Sequence, residues 1–185
     1  MSLAVRIIRK LAQNNRLANH RLHAACAGLG PGEFEAERTS FFPSIKETLN
    51  HILTIDWFYV DALEGGTLGP RAWEPEEPFD ALAPLTAAQV AVDERLLAFV
   101  ATLTDEGLAA ETRVHRTGRI QVERTDDLLL HLLMHQTHHR GQVHAMLAGT
   151  SVQPPQLDEF LTASDFRDRL DDMAALGWNE ADLGR

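Results

Sequence analysis

The sequence predicts an all-α fold, a four-helix bundle with a small β-hairpin before the fourth long helix and a short C-terminal helix. Three observations carry that expectation. Apolar residues recur at helical spacing over several long stretches. Segments rich in Gly and Pro separate those stretches. The 185 residues are enough for one hydrophobic core, so a single domain is expected over 1–185, with the bundle at about 3–150 and an extension at about 151–185.

The first helix is expected over residues 3–27, where Ile8, Leu11, Ala18, Leu22 and Ala25 share a face. Gly28-Leu29-Gly30-Pro31-Gly32 ends it. Phe41-Phe42-Pro43 leads into Ser44-Ile45-Lys46-Glu47, a capping box in which Ser44 and Glu47 each satisfy an orphan amide, opening a helix to about residue 63. Residues 65–85 read as a surface loop, and Thr86-Ala87-Ala88-Gln89 reads as the capping box of a third helix running to about Leu103. β-Branched residues flank Thr117-Gly118, which predicts a hairpin within 112–122. Thr125 is the expected cap of the fourth helix, which runs to about Leu147. Leu128-Leu129-Leu130-His131-Leu132-Leu133-Met134 is apolar on every side and marks the most buried helix. A shorter helix, about 157–175, follows Pro154-Pro155.

Composition excludes several functions. Seventeen Lys and Arg stand against 27 Asp and Glu, a net charge of −10, and no local basic patch interrupts it, so no nucleic-acid partner is expected. The lone Cys26 rules out an internal disulfide and a cysteine-based zinc site. The N-terminal residues lack a signal-peptide pattern, and no run approaches the ~18–20 apolar residues of a membrane span. The expectation is a soluble cytoplasmic protein with no membrane partner.

Chemistry concentrates in the histidines. Six of nine lie between 115 and 144, and His131, His135, His138, His139 and His144 share the fourth helix. With His131 at zero on the helical wheel, His135 falls at roughly 40°, His139 at roughly 80°, His138 at roughly −20° and His144 at roughly 220°. Leu128 and Leu132 fall at roughly 60° and 100°, so His135 and His139 sit inside the apolar stripe. Imidazoles at i and i+4 can reach one metal ion. His51, among Thr48, Ile52, Ile55 and Phe58 on the second helix, is the candidate third ligand. Three histidines leave coordination positions open to water or substrate, as catalytic metals require. His20, His23, His115 and His144 are expected at the surface, and His131 and His138 at the rim of the site. Three imidazoles alone suit zinc, nickel, iron or copper.

The segment His135-Gln136-Thr137-His138-His139-Arg140-Gly141-Gln142 resembles the DinB-like (YfiT-like) superfamily, whose signature is His-x-x-x-His-Arg-Gly-Gln late in a four-helix bundle. A histidine early on the second helix, the Asn15…Ala18-Asn19 stretch and the hairpin extend the resemblance over roughly residues 5–160. It implies a metal triad of His51, His135 and His139, a divalent ion such as zinc or nickel, and a homodimer. The family is similar to thiol-dependent enzymes, bacillithiol S-transferases and the mycothiol-dependent maleylpyruvate isomerase, so it also implies a low-molecular-weight thiol and a small-molecule substrate.

Asn15 and Asn19 are expected to line the cavity, Gln142 to hydrogen-bond a ligand, Gly141 to permit close helix packing, and Arg140, pointing away, to make a structural ion pair. Leu17 stands where the family often has an aromatic residue. Asp165, Asp168, Asp171 and Asp172 read as a solvated helical face. The leading expectation is a metal-dependent thiol transferase. The alternatives are a metal-dependent hydrolase, for which Asp56 is the nearest carboxylate in sequence on the second helix, and a non-enzymatic metal-binding stress protein.

Overall fold

Ser2 accepts a hydrogen bond from the amide of Val5 and so starts the first helix, while Ser44 does the same for Glu47 at the second. The computed structural model describes residues 1–158 and 161–183. Its long helices are α1 (Leu3–Cys26), α2 (Ile45–Leu63), α3 (Leu82–Ala101) and α5 (Thr125–Leu147). A short α4 (Asp105–Ala109), not anticipated from the sequence, follows α3. The hairpin pairs β1 (Glu111–Arg116) with β2 (Arg119–Arg124) in antiparallel register, Arg116 opposite Arg119. Its two-residue turn places Gly118 at φ 72°, a conformation that favours glycine.

The helices form a square in which α1 and α2 each lie against α3 and α5. Because α1 and α2 are diagonal, the chain between them must cross the end of the bundle, and residues 27–44 do so. Leu22, Ile45, Leu49, Ile52, Leu53, Leu85, Val92, Leu129, Leu132 and Val143 fill the core and are essentially inaccessible. The 310-helical turn Gly69–Trp73 packs on α2 and brings Trp73 against Phe58, ring centroids 4.9 Å apart. No described helix is long and apolar enough to cross a membrane.

Several expectations are corrected. The third helix begins at Leu82, one turn before Thr86, because Pro84 lies in the first turn, where no amide hydrogen is needed. Thr86 instead bonds Nδ1 of His23 at 2.8 Å. Thr125 is the first residue of α5 and not its cap; its hydroxyl meets Thr112 and donates to the Ala110 carbonyl. At Ser44 only one amide is satisfied, since the Glu47 carboxylate accepts from the Ser44 hydroxyl. The apolar run on α5 is not buried all round: Leu130 and Met134 are exposed. Gly141 faces open space, so close packing is not its reason.

The C-terminal extension is not a continuous helix over 157–175. It contains a 310 turn at Ser164–Arg169 and α6 (Leu170–Ala175); residues 159 and 160 lie outside the described residues. Nor is it wholly a solvated face. Met173 and Leu183 bury Leu17 and Ala18 of α1, and Asp172 pairs with Arg21 at 2.7 Å. Leu17 is therefore an anchor for the extension.

Inside the bundle, Asn15, Asn19, Asp56, Gln89, Asp93, Gln136 and Arg140 form a buried polar network drawn from all four long helices. Arg140 donates to Asn15, to Asn19 at 3.1 Å and to Gln136 at 3.0 Å. Gln89 donates to Asp56 at 2.7 Å and to Asp93 at 3.1 Å, and Gln136 donates to Asp56. Burial pushes the Asp56 carboxyl up to about 7. Burial, and then the neighbouring Asp56, push Asp93 up to about 8. Burial holds Arg140 down to about 10.

Candidate metal centre

α2 and α5 are neighbours, and each turns a histidine face to the other. On α5 the four-residue step from His135 to His139 rotates the side chain only about 40°, so both rings meet His51. One nitrogen from each of His51, His135 and His139 lies within 4.8 Å of the others. The Nε2 atoms of His51 and His135 are 3.0 Å apart, and the ring centroids of His135 and His139 are 4.4 Å apart. Tetrahedral binding at the usual zinc–nitrogen length sets nitrogens roughly 3.3 Å apart, so this donor set fits a divalent ion.

The rings are held neutral, as ligation requires. Burial, and then His139, hold His51 down to about 4. Burial, followed by His139, His51 and the other neighbouring histidines, holds His135 down to about 3. Burial also lowers His139, against a hydrogen bond from Nδ1 to Oε1 of Gln142 at 2.7 Å. That bond places the proton on Nδ1 and leaves Nε2 free to ligate. Gln142 in turn meets Nε2 of the exposed His138 at 3.3 Å. His135 has no such support among the described residues: its Nδ1 is buried without a hydrogen bond to any of them, and surrounding rings orient it.

Residues 1–169 match the model of the DinB family. The chain belongs to the DinB family. It is 26% identical over 159 residues to Protein DinB of Bacillus subtilis (strain 168), covering 82% of this chain and 92% of that relative. Two solved structures share the fold. A DinB-like protein from Bacillus cereus ATCC 10987 superposes with TM-score 0.60 at 16% identity, covering 79% of this chain and 94% of that one. The DinB-like protein YjoA from Bacillus subtilis superposes with TM-score 0.53 at 15% identity, covering 75% and 90%.

In this DinB-family chain the remaining candidates separate by helix face. Asn15 and Asn19 belong to the buried network, bonded to Arg140 and Asp93. Arg140 faces that network and not the histidines. Asp56 is also there, because five residues beyond His51 is a rotation of about 140°. Three carboxylates share a cavity with His51, those of Glu47, Glu76 and Glu77, and of these Glu47 stands on α2 itself, four residues earlier and only about 40° away.

Phe42 stacks on His51 with centroids 4.2 Å apart and lies 5.7 Å from His139, shielding one side of the centre. In the sequence Phe42 reads as a lead-in to the helix, although an aromatic pair beside a histidine-bearing helix is a visible signal. Trp73 lines the same cavity from the loop after α2 and had no local signal. His131 is exposed near Tyr59, as expected of a rim position, whereas His23, expected at the surface, is buried between α1 and α3. Burial, and then Arg16, hold His23 down to about 4.

Proposed function

We propose that this chain is a divalent-metal enzyme that joins a low-molecular-weight thiol to a small electrophilic substrate, with His51, His135 and His139 holding zinc or nickel. The observation that carries this reading is the convergence of three neutral imidazoles beside a cavity of about 310 Å³. A dication held there supplies Lewis acidity, lowering the pKa of a thiol or water in an open position. His51 presents its ring to the cavity, Gln142 fixes the His139 tautomer, and Phe42 excludes water from one side. In the transfer, the thiol proton is released, a sulfur–carbon bond forms at the electrophile, and any leaving group departs with its electron pair.

Glu47 supports a second reading, metal-dependent hydrolysis, in which its carboxylate acts as general base toward a water in the shared cavity.

Elemental analysis of the wild type, His51→Ala and His139→Ala tests the common basis of both. The expected result is near-stoichiometric metal in the wild type and loss in both variants. Metal-free wild type after reconstitution would overturn the metal reading. Thiol–electrophile conjugation that follows the bound metal favours the transferase; turnover of esters or amides without thiol favours the hydrolase.

A further inference from the structure

The cavity beside His51 is lined by Phe42, Ile55 and Trp73 on its apolar side and by Glu47, Glu76 and Glu77 on its polar side. No Lys or Arg is among its lining residues. Lys46 approaches from outside and pairs with Glu77 at 3.0 Å, and it also meets Asp80 at 3.5 Å. Among the described residues no cation pairs with Glu47 or Glu76, which line the cavity; the Glu47 carboxylate accepts one hydrogen bond, from the Ser44 hydroxyl. Its volume, about 310 Å³, is at the lower end of the range for small-molecule sites, roughly 300–1,000 Å³. Apolar walls and a negatively charged rim select against anions and favour a cation carried on a hydrophobic body.

We propose that this cavity selects substrates bearing a primary amine on a compact apolar body, with Phe42 and Trp73 contacting the body and Glu47 and Glu76 the ammonium group. The inference rests on the reading of the three-histidine centre as the reacting end of the same cavity. It deepens that reading by naming the charge class of the substrate. Glu47 extends from the first turn of α2, one turn before His51, and both line the cavity, so a molecule whose ammonium group is held by Glu47 lies beside the His51 ring. Trp73 is placed by the 310 turn and stacked on Phe58, which gives the aromatic wall a fixed position.

The test uses three probes of one size, 2-phenylethylamine, 2-phenylethanol and phenylacetate, titrated calorimetrically into the metal-free 185-residue chain. The amine is expected to bind about tenfold or more tightly than phenylacetate, with the alcohol between them, the scale of two partly exposed charge contacts. The Glu47→Gln/Glu76→Gln double variant is expected to reduce that ratio to about threefold or less while leaving the alcohol unchanged. Glu76→Gln alone, an exposed loop change, is expected to lower it partway and guards against a folding defect in the double variant. Added salt should shrink the preference in the wild type. Phenylacetate binding as tightly as the amine, or a preference untouched by both variants, would overturn the proposal.

A second titration separates this inference from the thiol reading. In the cobalt-loaded chain, 2-aminoethanethiol is expected to give the thiolate absorption band at lower concentration than 3-mercaptopropionate. If neither thiol coordinates while the amine preference holds, the thiol reading fails and the charge selection stands. If both coordinate equally and the amine preference is missing, the charge selection fails and the thiol reading stands.

Discussion

Asp93 and Asp56, pushed up to about 8 and about 7, bind protons in the folded chain that their unfolded counterparts release near 4. Their contribution to stability is present at low pH and is lost as pH rises through those values. His23, His51 and His135, held down to about 4, 4 and 3, act in the opposite sense. Unfolded histidines take up protons below about 6.5 while the folded rings do not, so stability falls as pH drops from there. The two effects predict that the metal-free chain is most stable near pH ~6, as read by denaturant titration across pH. Asp93→Asn should flatten the loss between about pH 6.5 and 8, and an unchanged alkaline limb would refute the assignment.

At the scale of elements, α5 is a helix with two polar jobs on two faces. His135 and His139 turn to α2, while Gln136 and Arg140, each next in sequence, enter the buried network with α1, α2 and α3. The network sets the rotation of α5 about its axis, and with it the direction of the histidines. Arg140→Met leaves the side-chain oxygens of Asn15, Asn19 and Gln136 buried without this donor and should lower stability by about 3 kcal/mol, measured by urea unfolding. Metal affinity should fall with it even though Arg140 touches no histidine. At the start of α2, Ser44→Ala removes the acceptor for the Glu47 amide and should cost about 1 kcal/mol while leaving metal stoichiometry intact.

Across the whole molecule, the C-terminal extension is held to the bundle by a small second core of Leu17, Ala18, Met173 and Leu183. Within the extension itself, the fully buried Arg169 makes two bonds to Glu180 at 2.8 and 2.9 Å. Met173→Ala should cost about 2 kcal/mol, and limited proteolysis should then cut the extension before the bundle. The net charge of −10 predicts no retention of duplex DNA in a gel-shift assay at physiological salt; a salt-sensitive shift at low protein concentration would contradict it.

The sequence by itself determined the helical architecture and the histidine set. Period and punctuation are local properties, and a four-residue step on a helix fixes which side chains share a face. The boundaries of α1, α2 and α5 and the hairpin turn at Gly118 were legible for that reason. The resemblance carried by the His-x-x-x-His-Arg-Gly-Gln segment agreed with the third histidine, His51, already a candidate from its place on an apolar face of the second helix. Only the tertiary structure decided which helices are neighbours, and therefore that His51 meets His135 while Asp56 turns to Gln89 and Gln136. The burial of His23 and Asp93, the approach of Phe42 and Trp73, and the docking of the extension on Leu17 all come from segments distant in the chain. Periodicity reports the face of one helix; the partner opposite that face is set by how the whole chain packs.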